Sequence, residues 1–220
     1  LPVCLFAETI TGKALFDGTP GENPKIDMTA DPVCKSLNPA QVFAERIVVN
    51  PNGTLKNVFI YIKEGLKDQT FPVPQTPAVL DQKACNYEPH VLGIMINQKA
   101  KILNPDGTLH NVHAISKVNT EFNSAMPKFR TEIEKSWDKP EFGIALKCDV
   151  HPWMGAWLHV MDNPFFATTK ADGKFTIAGL PDGTYQIEAW HEKLGTKAGS
   201  VTIAGGDATV DFTFAAPAKK

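Results

Sequence analysis

The chain has 220 residues, 43% of them hydrophobic, and carries 22 Lys and Arg against 24 Asp and Glu for a formal charge of -2. That apolar content suffices for one large or two small packed cores, while the near-neutral balance offers neither the basic surface of a nucleic-acid binder nor an acidic solvating tail. Apolar runs such as VFIYI at 58–62 fall far short of the roughly 20 residues that cross a bilayer, so no transmembrane segment is expected in this chain.

In chain order, the first residue is Leu1 and not Met, which reads as a processed and exported product. Cys4, in LPVC, is expected to be a free thiol, since a processed lipoprotein would begin on its lipid-bearing cysteine. Residues 1–40 read as one strand, TGKALFDG, followed by a proline-stiffened arm. From there the signals are those of strands: KNVFIYIKEG, HVLGIMIN, AKILN, KFRTEIEKSW, FGIALKC, AWLHVMD, GKFTIAGL, GTYQIEAWH, GSVTIAG and ATVDFTFA. Each is short, rich in β-branched or aromatic residues, and bounded by Gly, Pro, Asn or Asp. In GTYQIEAW, Tyr185, Ile187 and Ala189 alternate with Gln186 and Glu188, the period of a half-buried strand. Asn52-Gly53, Asp106-Gly107, Asp172-Gly173 and Asp182-Gly183 read as turns. Residues 69–77, with three prolines, read as an extended surface connection, and the helical period is nowhere sustained. The expected fold is all-β, two packed sheets, with a boundary near 162–166 where DNPFF precedes a new run of hairpins.

Chemistry concentrates in KCDVHPWM, which sets Cys148, His151 and Met154 at Cys-x-x-His-x-x-Met spacing, and in TLHNVHAI, which carries His110. A thiolate, two imidazoles and a thioether are the donor set of a trigonal His2Cys copper centre with a weak axial Met. A tight loop between two strands turns three of these side chains onto one ion, and a distant strand supplies the fourth. His113, three residues beyond His110 on an expected strand, points to the opposite face. His90 is a candidate additional ligand or supporting group, because pairing HVLGIMIN with AKILNPDG through a turn at Asn97 and Gln98 would return it toward His110. Asn111 is a candidate for tying the ligand loops together, Pro152 for stiffening the loop, and Trp153 and Trp157 either for an apolar rim around His151 or for packing. His159 and His191 read as ordinary strand-end residues. Of the remaining cysteines, Cys34 and Cys85 lie in loop contexts and are expected to form a disulfide, with buried free thiols as the alternative.

YEPHVLGIMINQKAKILNPDGTLHNVHAI and KCDVHPWM together resemble the cupredoxin, or blue-copper, family in its plastocyanin and amicyanin branch, with Leu109 standing where that family usually has proline. TTKADGKFTIAGLPDGTYQIEAWHEKLG resembles the carboxypeptidase regulatory-like, transthyretin-related β module, and the combination is similar to bacterial cupredoxin-like proteins labelled as methylamine-utilisation proteins. These resemblances imply a Greek-key β-sandwich plus a smaller C-terminal β module. The expected layout is an arm over 1–40, a copper domain over 41–162 and the β module over 163–220. They also imply one copper ion cycling between Cu+ and Cu2+, single-electron transfer with redox partners such as c-type cytochromes, and a periplasmic or cell-surface location. A copper carrier, or a structural or redox subunit of a larger extracytoplasmic complex, is the alternative. An enzyme would need a second metal with an open position or another subunit, and no His-x-His pairs, haem motif, Walker loop, HExxH or Gly-x-Ser-x-Gly is present.

Overall fold

The computed structural model describes residues 8–67 and 69–217; Cys4 lies outside them. In chain order the elements are β1 (Glu8–Asp17), β2 (Lys25–Ile26), α1 (Pro32–Leu37), β3 (Val42–Phe43), β4 (Phe59–Glu64), β5 (Ala78–Asp81), a 3-10 turn (Lys83–Cys85), β6 (Val91–Met95), β7 (Ala100–Leu103), β8 (His110–Ile115) and β9 (Phe122–Met126). There follow β10 (Glu132–Lys135), β11 (Glu141–Lys147), β12 (Gly155–Met161), β13 (Phe166–Thr168), β14 (Lys174–Leu180), β15 (Gly183–His191), β16 (Gly195–Ile203), β17 (Ala208–Thr209) and β18 (Phe212–Ala215). The all-β reading holds. The short α1 is the exception: Asp31 caps it by accepting from the Val33 and Cys34 N–H groups, and Pro32 opens it. Six residues are too few to show a helical period in the sequence. No helix among the described residues is long and apolar enough to cross a membrane.

The chain forms two compact units, and neither follows the expected layout of 1–40, 41–162 and 163–220. Of the described residues, one unit gathers 8–22, 46–67, 69–70 and 165–217. Its sheets are β14-β1-β17, with β18 also on β1, and β13-β4-β15-β16. The strand VFIYI, expected in the copper domain, is β4 and pairs antiparallel with β15, Ile62 opposite Ile187 and Ile60 opposite Ala189. The physical reason is the burial of β15, whose Tyr185, Ile187 and Ala189 are at most 1% exposed. A strand with a fully buried face in mid-sheet needs neighbours on both edges, and β16 supplies only one of them. β1, expected in an arm, packs into the same unit by pairing with β14.

The other unit comprises residues 23–45 and 71–164. A five-stranded sheet, β6-β12-β11-β8-β9, and a three-stranded sheet, β10-β7-β5, enclose a core that includes Leu80, Tyr87, Ile94, Ile102, Val112, Ile144, Leu146 and Leu158. The hairpin expected between HVLGIMIN and AKILNPDG does not form. β6 pairs in parallel with β12, β7 pairs with β5 and β10, and the turn at Asn97 and Gln98 carries the chain from one sheet to the other. Both segments have inward faces that the two sheets of a sandwich can bury on opposite sides of one core. β11 and β12 form an antiparallel hairpin whose last pair is Lys147 opposite Gly155. A bulge near Gly143, which adopts φ +78, interrupts it, and the Gly143 N–H donates to His159 Nδ1 at 3.1 Å. His159, read from sequence as a strand-end residue, lies within β12 and is fully buried.

Candidate metal centre

The loop from Cys148 to Met154 closes the β11-β12 hairpin and is held at both ends. The Cys148 N–H donates to the Met154 carbonyl at 3.2 Å, and the Met154 N–H donates to the His151 carbonyl at 2.9 Å. These backbone bonds fold the short loop back on itself and aim Cys148 and His151 inward. On the neighbouring strand β8, which pairs with β11 through His113 opposite Lys147, His110 is the first residue. His110 is 0% exposed, Cys148 and His151 2%, and Met154 1%.

Three of these side chains, His110, Cys148 and His151, converge. Ligand atoms of His110, Cys148 and His151 all lie within 4.8 Å of one another. His110 Nδ1 is 3.0 Å from His151 Nδ1, and Cys148 Sγ is 3.8 Å from His151 Nδ1. For metal–nitrogen and metal–sulfur bonds of about 2.0 and 2.3 Å, a trigonal site would separate nitrogen from nitrogen by about 3.5 Å and nitrogen from sulfur by about 3.7 Å. These two separations match a small cation to within about half an ångström. Met154 lies buried in the same core, at the end of the ligand loop. His90 belongs to none of the convergent groups; it precedes β6, and its carbonyl accepts from the Trp157 N–H. β6 shares its sheet with β8, β11 and β12, so His90 stands beside the start of β12 without joining those groups.

The remote nitrogens decide the chemistry. His110 Nε2–H donates to Asp106 Oδ2 at 3.0 Å, and His151 Nε2–H donates to Asp31 Oδ2 at 3.1 Å. With both Nε2 protons so engaged, both Nδ1 lone pairs face the same small space. Such a pair tolerates one proton or one cation between the rings. Asp106 is fixed in turn by the Ala84 and Cys85 N–H groups (3.0 and 2.7 Å), and Asp31 by Thr108 Oγ1–H (2.8 Å) and its capping bonds to α1.

Burial alone would depress His110, but the Asp106 hydrogen bond, the Cys148 contact and their negative charges outweigh it and raise its pKa to about 9. Burial alone would raise Asp31, but hydrogen bonds from the Cys34 N–H, Thr108, His151 and the Val33 N–H bring it to about 2. The Cys148 thiol is lowered against its own burial by His110 and by the backbone at Asn111, His151 and Val150. The His151 N–H donates to Cys148 Sγ at 3.4 Å.

Asn111 ties the two ligand segments together: its Oδ1 accepts from the Cys148 thiol at 3.3 Å and from the Asp149 N–H at 2.7 Å, and its carbonyl accepts from the Tyr87 hydroxyl. Cys34 and Cys85 are joined in a disulfide that links α1 to the 3-10 turn, and Cys34 Sγ lies 3.7 Å from His151 Nε2. Trp153 lies tilted beside His151 with ring centres 5.0 Å apart and donates through Nε1–H to the Cys85 carbonyl. His151 therefore lies beneath a cap of α1, the disulfide and Asp31, and Trp153 does not form a rim about an exposed imidazole. His113, as its position on the strand implies, turns away from the centre, to Asp149 and Glu121.

Asp31, Asp106, Thr108 and Tyr87 were not legible as site residues. Asp-Pro before a cysteine is a helix-start signal, and Asp106, read as a turn residue, stands four residues before His110. That spacing is the one local clue to its second role.

No family model matches the chain, and no curated protein matches it. Among solved structures it is similar to a copper-containing nitrite reductase from Thermus scotoductus SA-01, with TM-score 0.37 and 15% identity over 46% of this chain. It spans 26% of that enzyme's length. It is also similar to a methionine-to-alanine mutant of amicyanin in the Cu(I) form, with TM-score 0.36 and 18% identity over 44% of this chain and 97% of that one. A third likeness is to a purple cupredoxin from Nitrosopumilus maritimus, with TM-score 0.33 and 21% identity over 38% and 99%. At such scores and identities these likenesses assign neither family nor activity.

Proposed function

We propose that the chain is an exported mononuclear copper protein that passes single electrons between redox partners, with His110, Cys148, His151 and Met154 as ligands. The observation that carries this is the pair of imidazole Nδ1 atoms facing each other at 3.0 Å beside a buried thiol, with both Nε2 protons already committed to carboxylates. A soft thiolate and thioether with two imidazoles suit copper in both oxidation states, and the bound ion would supply a one-electron couple.

What the chain contributes is rigidity and exclusion of water. Asn111 and the loop hydrogen bonds hold Cys148 in place, the disulfide and α1 cover His151, and the ligands are at most 2% exposed. Ligands so covered favour passage of an electron, which needs no contact with the ion, over catalysis on a bound substrate. Leu109 and Val150, each next in sequence to a ligand, are 43% and 45% exposed and offer an apolar approach for a brief encounter with a protein such as a c-type cytochrome. The Cys34–Cys85 disulfide supports an oxidising compartment, the periplasm or cell surface.

The test is a visible and EPR spectrum of copper-loaded protein followed by stopped-flow oxidation by a cytochrome c. An intense thiolate-to-copper band, bleached and restored at constant copper content, is the expected result. Copper binding without that band would sink the ligand assignment, and copper lost on each cycle would make the chain a carrier.

A further inference from the structure

The two carboxylates behind the imidazoles lie on segments far apart in the chain, yet they make the same contact. Asp31 comes from the cap, 120 residues before His151; Asp106 comes from the turn four residues before His110. Neither is a loose surface group. Asp31 divides its oxygens: Oδ1 accepts from the Val33 and Cys34 N–H groups, while Oδ2 accepts from Thr108 and His151. Asp106 divides its own likewise: Oδ1 accepts from the Ala84 N–H, and Oδ2 accepts from the Cys85 N–H and His110. The Cys34–Cys85 disulfide joins the segments that hold the two. One built unit therefore presents an anionic acceptor to the remote nitrogen of each ligand.

We infer that Asp31 and Asp106 are positioning residues that set the reduction potential of the centre, holding it low by favouring the doubly charged ion over the singly charged one. This rests on the copper reading above. A carboxylate accepting from Nε2–H fixes the tautomer, so that Nδ1 carries the lone pair, and it also makes the ring a stronger donor. Negative charge behind both rings interacts more strongly with a dication than with a monocation. Because both rings are pinned from behind, neither can swing away when the ion's charge falls. The same centre with neutral acceptors would bind the reduced ion almost as well and the oxidised ion less well.

The experiment uses Asp31→Asn and Asp106→Asn in the full chain. Asn is as good a helix cap as Asp, so the first variant keeps α1. In that variant the amide oxygen stays with the cap, so the new side chain's NH2 group faces His151 Nε2 and drives the ring proton to Nδ1. Three readings are taken: the 15N NMR tautomer of His151 in the apo protein, the affinities for Cu(II) and Cu(I), and the midpoint potential with the visible spectrum alongside. Loss of such a supporting group commonly weakens metal binding by about 10- to 100-fold. If that loss falls on the oxidised form, the potential rises by about 59 to 118 mV per variant, at about 59 mV per tenfold for one electron.

The expected result is a retained thiolate band, a raised potential in both variants, and a His151 tautomer switch in Asp31→Asn. Unchanged Cu(II)-to-Cu(I) affinity ratios and an unchanged tautomer, with the band present, would overturn the inference and leave the copper reading standing. If the wild type itself shows no thiolate band, the copper reading falls. The apo tautomer then decides the carboxylate's role by itself: a switch upholds positioning, and no switch overturns it.

Discussion

Removing the cross-link between Cys34 and Cys85 should destabilise the unit that carries the centre by about 4 kcal/mol. The two cysteines are 51 residues apart in sequence. In the chain-entropy relation a closed loop of about that length removes about 14 cal/mol/K from the unfolded ensemble, which at 25 °C is about 4 kcal/mol. For a domain of roughly 100 residues, 1 kcal/mol moves the melting midpoint by about 4 °C, so the transition should fall by about 16 °C. Both cysteines are fully buried, so Cys34→Ala with Cys85→Ala adds the loss of two packed sulfurs to the loss of the link. The reduced wild type, which keeps both sulfurs, isolates the link itself. The assay is urea unfolding of the apo protein, followed by near-UV circular dichroism, for the oxidised wild type, the wild type refolded under excess dithiol, and the double variant. The expected order of midpoints is oxidised, reduced, double variant. A reduced wild type within about 1 kcal/mol of the oxidised form would refute the loop-closure reasoning, and would mean that the unfolded chain already keeps the cap near the sheet.

Cys148→Ser should abolish the thiolate band while leaving apo circular dichroism and unfolding nearly unchanged, because the core is built from alternating strands and not from the ion; a retained band would remove Cys148 from the ligand set. Asn111→Ala removes acceptors for the Cys148 thiol and the Asp149 N–H, and should cost about 1–3 kcal/mol in the apo protein and broaden the copper EPR signal. An unaltered signal would deny Asn111 its tying role. His110, raised to about 9, is charged in the apo protein at neutral pH, so its contribution to stability is complete below about pH 6.5 and is lost as pH rises through about 9. Cys148, lowered, contributes in the opposite sense, so the titration is best read at the His110 ring by NMR; a midpoint near about 6.5 would contradict the Asp106 pairing. In the other unit, a Cβ at Gly12 would sit 1.8 Å from the Val210 carbonyl oxygen, so Gly12→Ala should destabilise that unit by about 1–3 kcal/mol or more, as an unfolding midpoint would show.

The strands, the ligand loop and the two loop cysteines could be read from the chain because each is a local property. Alternation in GTYQIEAW is a strand signal wherever the strand ends up, and Cys148 and His151 are so close in sequence that one hairpin loop brings them together. His110 was legible through the motif around it. What only the tertiary structure decided is everything that depends on which strand lies beside which. VFIYI carries no mark of its partner, and it leaves the unit with the candidate metal centre to complete the sheet around β15. HVLGIMIN and AKILN look like the arms of a hairpin, yet they belong to different sheets. Asp31 in Asp-Pro satisfies its local role of cap with one oxygen, and its second finds His151 only once distant segments have packed; both oxygens of Asp106 accept from the 3-10 turn, and one of them also accepts from His110. A local pattern records how a residue satisfies its own backbone; which buried partner takes its remaining hydrogen bond is set by packing across the chain, and that leaves no periodic trace in the sequence.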